Sequence, residues 1–107
     1  IFGTGKQTRD FIHVHDVARA FFLALRYNKT KFDVFNLGTG KSTSINTLAR
    51  YFLNNTKNHG MKPIYRKAIP GIIIHNSMNN TKLKRGLGLV PSVSLKQGIS
   101  DLIINNS

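Results

Sequence analysis

The sequence contains no cysteine, which excludes disulfide bonds and thiolate metal sites. It also lacks an apolar stretch of membrane-spanning length, since the densest apolar patch is the short run Gly71–Ile74. No signal peptide is visible. With 107 residues and a hydrophobic content of 40%, the chain can build one modest core. We therefore expect a single folded unit spanning residues 1–107, with no membrane partner.

Acidic residues are also scarce. The chain has no glutamate and four aspartates against 16 lysines and arginines, so its formal net charge is +12. This charge favours anionic partners such as nucleic acids or phosphorylated metabolites. However, the basic residues are dispersed, with Thr81–Arg85 the only tight cluster, and a lysine-rich composition is the simpler explanation. A stand-alone basic module that binds nucleic acid or another polyanion is kept as the alternative, although we do not expect nucleic acid to be the partner.

The tetrapeptide GTGK occurs twice, at Gly3–Lys6 and Gly38–Lys41. A phosphate-binding P-loop requires G-x-x-x-x-G-K-[ST], so that backbone N–H groups wrap the phosphates. In the second copy Phe35 stands where the first glycine is needed, and in the first copy Gln7 follows the lysine where a hydroxyl is needed. The G-x-G-x-x-G fingerprint of dinucleotide sites is missing too. The sequence therefore predicts no cofactor-binding residue in this chain.

Two further patterns resemble catalytic or metal sites. Tyr27 and Lys31 have the Y-x-x-x-K spacing that places an ammonium beside a phenol on a helix and lowers the pKa of that phenol. The predicted helix ends near Tyr27, however, so we interpret Tyr27 as packing and Lys31 as solvated. His13, His15 and Asp16 could form part of a metal site, but packing or a helix-start role is favoured. We assign no catalytic residue and no metal ligand.

Strands and helices are predicted to alternate, which indicates an α/β fold. A first helix should start at Asp16 and bury the apolar stripe Val17, Ala20, Phe21, Ala24 and Leu25. A second should start at the N-cap Ser44, and a last one at a capping box formed by Ser94 and Gln97, with Leu102 among its inward residues. A helical turn ended by a glycine is expected over Thr81–Gly86. The extended segments are predicted at Ile1–Phe2, Thr8–Val14, Asp33–Leu37 and Lys62–Lys67.

Two long motifs carry a resemblance to a known family. FGTGKQTRDFIHVHDVARAFFLAL, followed by VFNLGTGKSTSINTLA, strongly resembles the C-terminal half of extended short-chain dehydrogenases/reductases. Within that group the match is to NAD-dependent nucleotide-sugar epimerases and dehydratases, with the UDP-glucose 4-epimerases nearest. The similarity continues from PIYRK to SDLI and so covers nearly the whole chain.

The resemblance implies a division of labour that this chain carries out only in part. In the family, an N-terminal Rossmann domain holds NAD and supplies the catalytic Ser/Thr and Tyr-x-x-x-Lys groups, whereas a smaller lobe clamps the nucleotide diphosphate of the sugar. The chain, which begins with Ile1 rather than methionine, is similar to that lobe without the Rossmann domain. The resemblance thus implies a nucleotide-diphosphate sugar and the missing domain as partners, a cytoplasmic location, a possible oligomer of the intact enzyme and an inactive isolated chain.

The resemblance also assigns residues. Arg9 matches the arginine that contacts the substrate diphosphate, Phe11 matches an aromatic neighbour of the substrate, and Ile45 matches a position that packs on the nucleotide. The Tyr27/Lys31 pair does not match the catalytic pair of the family, which lies upstream of everything present here.

The chain departs from the family pattern in one region. Ile69 and Ile72 stand where the family has an arginine for the second phosphate and an aspartate for the ribose. Asn79 also replaces a usual aspartate. The resemblance therefore implies that two polar substrate contacts are lost, with Arg66 or Lys67 as the candidates to compensate.

Overall fold

A computed structural model describes residues 1–57 and 60–106. The elements follow the order β1 (Thr8–Asp10), α1 (Val14–Leu25), β2 (Ser42–Ser44), α2 (Ile45–Asn55), α3 (Thr81–Leu87) and α4 (Leu95–Asn105). The fold is a small α/β arrangement with a two-stranded sheet. The predicted alternation of strands and helices holds only as far as α2, since α3 and α4 follow each other without an assigned strand between them.

The strand β1 makes backbone hydrogen bonds along both of its edges. It pairs antiparallel with β2, so that Arg9 lies opposite Thr43. On the other edge, Thr8 N donates to the Ile74 carbonyl at 2.8 Å and the Thr8 carbonyl accepts from Asn76 N at 3.2 Å. The segment 74–76 therefore runs alongside β1 and fixes the strand from both sides.

The start of α1 differs from the prediction. Its N-cap is His13, whose side-chain Nδ1 accepts a hydrogen bond from His15 N at 3.2 Å. Asp16, the predicted cap, lies inside the first turn and is fully buried. The strand before the helix is also shorter than predicted, because β1 ends at Asp10.

The caps of α2 and α4 confirm the predictions for Ser44 and Ser94. Each serine accepts a hydrogen bond from the backbone N–H three residues later, at 3.1 Å for Ser44 and 3.2 Å for Ser94. The second half of the capping box is absent, because the Gln97 side chain donates to Asp101 at 2.7 Å. The helical turn predicted over Thr81–Gly86 is α3, which ends one residue further on and is closed by Gly88 with φ 67°.

The strand predicted at Asp33–Leu37 does not form a ladder with any described segment. Its side chains nonetheless serve the core, because Phe35 and Leu37 pack against the buried residues Ala20, Leu83 and Leu89. The predicted extended piece at Lys62–Lys67 forms a single parallel bridge, between Phe2 and Arg66.

The apolar face of α1 is not buried as predicted. The residues that the helix turns inward are Asp16 and Ala20, whereas Phe21 is 67% and Leu25 86% exposed. Val14 and Phe22 are exposed on the same side. We call the set Val14, Phe21, Phe22 and Leu25 the α1 outer face. Leu102 of α4, also predicted to face inward, is 53% exposed.

The chain as a whole leaves much surface uncovered. Its accessible area is 8140 Å², whereas a compact monomer of this length would leave about 6,000 Å². Its radius of gyration of 16.6 Å likewise exceeds the value of about 13 Å expected for a compact domain.

Candidate functional site

Arg9 lies at the middle of β1, the strand held on both edges. Its side chain is partly buried, and Nη1 donates to the Thr8 carbonyl oxygen at 2.7 Å. Among the described residues no carboxylate pairs with Arg9, and Asp16 pairs instead with Arg19 at 3.1 Å. Four of the five guanidinium N–H groups are therefore available to an anionic ligand.

Phe11 follows β1 directly and lines a cavity of about 360 Å³. Lys41 and Thr43, from the second GTGK copy and β2, lie on the same wall, and Lys84 contributes from α3. Phe11 also borders a smaller cavity of about 170 Å³ against α4. An aromatic ring beside two ammonium groups is chemically suited to an anionic organic ligand.

Ile45 continues the pairing of β1 with β2 by one residue, because its backbone N–H donates to the Gln7 carbonyl at 3.0 Å. Side chains two positions apart on paired strands point to the same face. Arg9 and Thr43 are register partners and therefore share one side of the ladder, whereas Phe11 lies beyond the end of β1 and Ile45 is the first residue of α2. Of the three predicted residues, only Phe11 borders the 360 Å³ cavity.

The second GTGK copy binds a carboxylate of the chain itself. Asp10 accepts hydrogen bonds from Thr39 N at 2.9 Å, Gly40 N at 2.8 Å and Met78 N at 3.2 Å, and from the Thr39 hydroxyl. These are the backbone donors that a phosphate loop would need for its ligand. The loop therefore cannot cradle a phosphate while Asp10 occupies it, which agrees with the prediction that it is no P-loop.

The same hydrogen bonds set the ionisation of Asp10. Burial alone would raise the pKa of this carboxyl, but the bonds from Thr39, Met78 and Gly40 outweigh it. The pKa of Asp10 therefore lies below its ordinary value, and the carboxylate stays ionised beside Arg9. Because Asp10 directly follows Arg9, its contacts hold the strand, the 38–40 loop and Met78 in one arrangement.

Asp16 likewise holds the start of α1 in place through hydrogen bonds to its carboxylate. Its carboxylate accepts from Ser92 N and Val93 N at 3.1 Å each and from the Arg19 guanidinium at 3.1 Å. Burial would raise the pKa of Asp16, but hydrogen bonds from Val93, Ser92 and Arg19 lower it further than burial raises it. The contact joins α1 to a segment 76 positions away, and Ser92 and Val93 of that segment line the same cavity as Phe11.

The region that departs from the family pattern is a tight turn. Ile72 N lies 3.4 Å from the Ile69 carbonyl that accepts its hydrogen bond, and Gly71 has φ 77°. The chain then continues into the segment beside β1, so Ile69 and Ile72 stand near the end of that edge. Arg66 and Lys67 are exposed.

Tyr27 is not arranged for proton transfer. It lies beyond the end of α1 at Leu25, and its hydroxyl donates to Asp33 at 2.8 Å. The hydrogen bond to Asp33 raises the pKa of Tyr27, whereas bonds from Lys82 and Tyr27 lower the pKa of Asp33 to about 2. Because its pKa is raised, Tyr27 is less readily ionised at neutral pH, the opposite of the effect that a neighbouring ammonium has on a phenol.

Within residues 1–57 and 60–106, no cluster of three or more His, Cys, Asp or Glu side chains could hold a metal ion. Nor does the part of the chain that the structure describes contain a helix long and apolar enough to cross a membrane.

The sequence did not indicate which residues support the site. Asp10 and Asp16 had no predicted role in positioning the cavity, and neither did Lys41. The available signal was the scarcity of acids, since two of the four aspartates, Asp10 and Asp16, accept several backbone hydrogen bonds each.

Residues 1–38 match the family model described as the NAD dependent epimerase/dehydratase family. The chain is 38% identical over 103 residues to a protein provisionally named UDP-glucose 4-epimerase from Methanocaldococcus jannaschii, covering 96% of this chain and 32% of the relative. It is 32% identical over 106 residues to the CDP-abequose synthase of Salmonella typhimurium, covering 94% of this chain and 35% of that protein.

Solved structures give the same picture. UDP-glucose 4-epimerase from Thermotoga maritima, crystallised with UDP-glucose, superimposes with a TM-score of 0.88 and 34% identity, over 99% of this chain and 34% of that one. UDP-glucuronic acid 4-epimerase from Bacillus cereus, crystallised with a UDP-sugar analogue and NAD, superimposes with a TM-score of 0.86 and 28% identity, over 100% of this chain and 35% of that one. The chain therefore spans about a third of the length of the relatives it matches.

Proposed function

Since this chain belongs to the NAD-dependent epimerase/dehydratase family, within the extended short-chain dehydrogenases/reductases, we propose that it is the substrate-binding C-terminal lobe of a nucleotide-sugar epimerase or dehydratase. UDP-glucose 4-epimerases are among the relatives that the chain resembles. Residues 1–107 form this lobe, and a cytoplasmic Rossmann domain outside this sequence completes the enzyme.

The observation that carries the proposal is the geometry of the β1–β2 ladder. Arg9 lies opposite Thr43, with Phe11 just beyond β1 and Ile45 just beyond β2, and among the described residues no carboxylate pairs with the Arg9 guanidinium. A guanidinium can grip a diphosphate through paired charge-assisted hydrogen bonds, while an aromatic ring and an isoleucine pack on the rest of the nucleotide. These side chains therefore suit the diphosphate end of a nucleotide sugar.

The uncovered surface supports a second domain as the lobe's partner. The chain exposes about 2,000 Å² more than a compact monomer of its length, and a standard interface buries about 800 Å² on each partner. The α1 outer face contributes exposed aromatic and aliphatic side chains to this excess. We assign that face to the Rossmann domain, because burying it there would remove the apolar area from water.

The proposal assigns different parts of the reaction to the two domains. NAD, held by the Rossmann domain, supplies the hydride chemistry at the sugar. The residues of this chain bind and orient the substrate: Arg9 neutralises the diphosphate, and Phe11 and Ile45 fix the nucleotide beside it. We predict that the isolated chain does not convert UDP-glucose to UDP-galactose when NAD is added, and turnover by the purified chain would contradict the assignment.

The proposal can be tested by joining this chain to the N-terminal part of the Thermotoga maritima enzyme and titrating UDP. Arg9→Ala should weaken UDP binding about ten- to a hundredfold, because it removes a partly buried charge-assisted contact. Arg50→Ala on α2 is the matched control, since Arg50 is exposed and is not among the residues proposed to contact the substrate. NAD affinity should stay unchanged in both variants. Equal UDP affinities for Arg9→Ala and the unmodified chimera would remove Arg9 from the site.

The alternative is a stand-alone basic module that binds a polyanion. One structural observation favours it: Asp10, Asp16 and Asp33 are all engaged in internal contacts, so the surface charge is almost entirely positive. Polyanion binding of this kind weakens steeply with salt and depends little on sequence. Filter binding of duplex and single-stranded oligonucleotides at two salt concentrations tests it, and no retention at low salt rules the module out.

A further inference from the structure

A cavity of about 610 Å³ lies between the segment that follows α1 and the helix α3. Its lining residues are Tyr27, Lys29, Phe35, Asn36, Asn79, Thr81, Lys82, Arg85 and Gly86. None of the residues assigned to the nucleotide sugar borders it. Pockets that take small organic ligands commonly enclose about 300–1,000 Å³, so this one has room for a metabolite rather than a lone ion.

A connected set of contacts joins three of the lining residues, Tyr27, Phe35 and Lys82. The Tyr27 hydroxyl donates to Asp33 at 2.8 Å, and Lys82 forms an ion pair with the same carboxylate. The Tyr27 and Phe35 rings meet edge to face with centroids 5.2 Å apart, and the Lys82 ammonium lies 5.1 Å from the Phe35 centroid. These contacts fix the two rings and one cation before any ligand arrives.

The charge of the cavity is one-sided. Lys29, Lys82 and Arg85 all line it, but Asp33 neutralises only Lys82. Within the described residues, the side chains of Lys29 and Arg85 have no hydrogen bond or ion pair. Two unpaired cations therefore face a cavity that no acidic residue lines.

Asn79 adds a neutral polar group to this wall. Its side-chain oxygen accepts from Thr81 N at 3.0 Å, where α3 begins. An aspartate at this position could accept the same hydrogen bond, but would add a negative charge to the cavity that Lys29 and Arg85 also line. The amide thus keeps the local structure while leaving the cavity positive.

From these features we propose that the cavity binds a small phosphate-bearing metabolite, at a site separate from the one that Arg9 serves. Arg85 and Lys29 provide the charge-assisted donors that a phosphate monoester requires. The Asn36 and Asn79 side chains and the Thr81 hydroxyl can hydrogen-bond the polar organic part, and the Tyr27 ring offers it an apolar wall.

The test uses the 107-residue chain, with AMP and inorganic phosphate as probes at low salt, followed by amide NMR shifts. AMP should bind saturably and more tightly than inorganic phosphate, and it should shift the amides of Asn36, Asn79 and Gly86. Arg9→Ala should leave AMP binding unchanged, which separates this site from the proposed nucleotide-sugar site. Non-saturable binding, or shifts centred on Thr39 and Thr43 instead, would overturn the inference.

Two variants test which side chains bind AMP. Asn79→Asp should weaken AMP binding at least tenfold while leaving the fold intact, because only the charge changes. The double variant Lys29→Gln/Arg85→Gln should weaken it as strongly. Its control, Lys62→Gln/Lys96→Gln, removes the same charge from exposed positions elsewhere and should change the affinity less than twofold. An equal loss in the control would mean diffuse attraction to a basic protein and would refute a defined site.

Discussion

The two faces of α1 differ in the kind of side chain that each buries or exposes. The inner face buries a carboxylate, since Asp16 is 0% exposed and receives backbone hydrogen bonds from Ser92 and Val93. The outer face presents Phe21 and Leu25 to solvent, at 67% and 86% exposure. A monomeric domain normally does the reverse, with apolar side chains inside and charges outside. The inner face therefore ties α1 to the rest of this chain, and the outer face leaves apolar side chains in solvent.

The contrast extends beyond α1. Within the part of the chain that the structure describes, only four hydrophobic residues are buried, namely Ala20, Leu83, Leu89 and Ile99. Burial of so little apolar side-chain surface gives a limited hydrophobic contribution to stability. The carboxylates of Asp10 and Asp16 tie together segments that few apolar contacts connect. We therefore expect the stability of the isolated chain to depend on polar anchors more than on its aromatic residues.

The strongest way to break the inner face is Asp16→Ala. The change leaves Ser92 N and Val93 N without their carboxylate acceptor, and we expect it to cost about 3 kcal/mol of unfolding free energy. Urea unfolding followed by circular dichroism measures the loss. Asp101→Asn on α4 is the control, because its carboxylate contacts only the Gln97 side chain, and it should stay within about 0.5 kcal/mol. Similar costs for both would mean that Asp16 does not anchor the fold.

Gly38→Ala should disturb the other carboxylate anchor. A Cβ built on Gly38 would lie 2.5 Å from the Met78 Cβ and 2.9 Å from an Asp10 carboxylate oxygen. Relieving this overlap should cost about 1–3 kcal/mol, as overpacking in a tight site usually does. Gly60→Ala is the matched control, since nothing lies within 4 Å of its added Cβ. If unfolding midpoints of the two variants coincide, the Asp10 loop is not tightly packed.

Acid should produce a smaller and graded effect through the same two carboxylates. The pKa values of Asp10 and Asp16 are lower in the folded chain than in the unfolded chain. They therefore stabilise the fold at pH values above the ordinary aspartate pKa of about 3.9, and this contribution is lost as pH falls through their folded pKa values. Urea midpoints at pH 6, 4 and 3 should decline, and less steeply in Asp16→Asn. An unchanged slope in that variant would contradict the linkage.

The smallest effect is expected at the outer face. Phe21→Gln should change the unfolding free energy of the isolated chain by less than about 0.5 kcal/mol, because the ring is already exposed. A buried phenylalanine would lose about 3–5 kcal/mol on truncation. The control is Leu83→Ala, at 1% exposure, which should cost several times more. In the chimera with the N-terminal domain, Phe21→Gln should instead become clearly destabilising, and an unchanged midpoint there would mean that another surface covers the domain contact.

Local signals in the sequence predicted several features correctly. Ser44 and Ser94 cap their helices as expected, because an N-cap depends on a side chain and an N–H three residues away. Arg9 lies on a strand, as its segment predicted. The sequence thus predicted the extended segment of Arg9 and Phe11 and the helix start at Ile45. The roles of these residues toward a substrate remain predictions.

Other features depended on contacts that no local pattern encodes. The apolar period of α1 predicted a helix, but the same period could not say which side would meet the rest of the chain. Asp16 was predicted as a cap from its position at the start of the apolar stripe. Its actual partners, Ser92 and Val93, lie 76 and 77 positions away, so no local pattern could indicate them. The strand predicted at Asp33–Leu37 found no ladder partner in the described chain, since a strand requires a neighbouring backbone as well as a suitable sequence.

The sequence by itself determined the helices, their serine caps, the excess of positive charge and the motif that identifies the family. These depend on residues within one or two turns of each other, or on composition, and need no folded chain. Only the tertiary structure decided that the second GTGK loop binds Asp10, that Asp16 is an internal anchor and that Phe21 remains exposed. The physical reason is that burial and hydrogen-bond pairing are properties of segments distant in the chain, and they are settled when those segments meet.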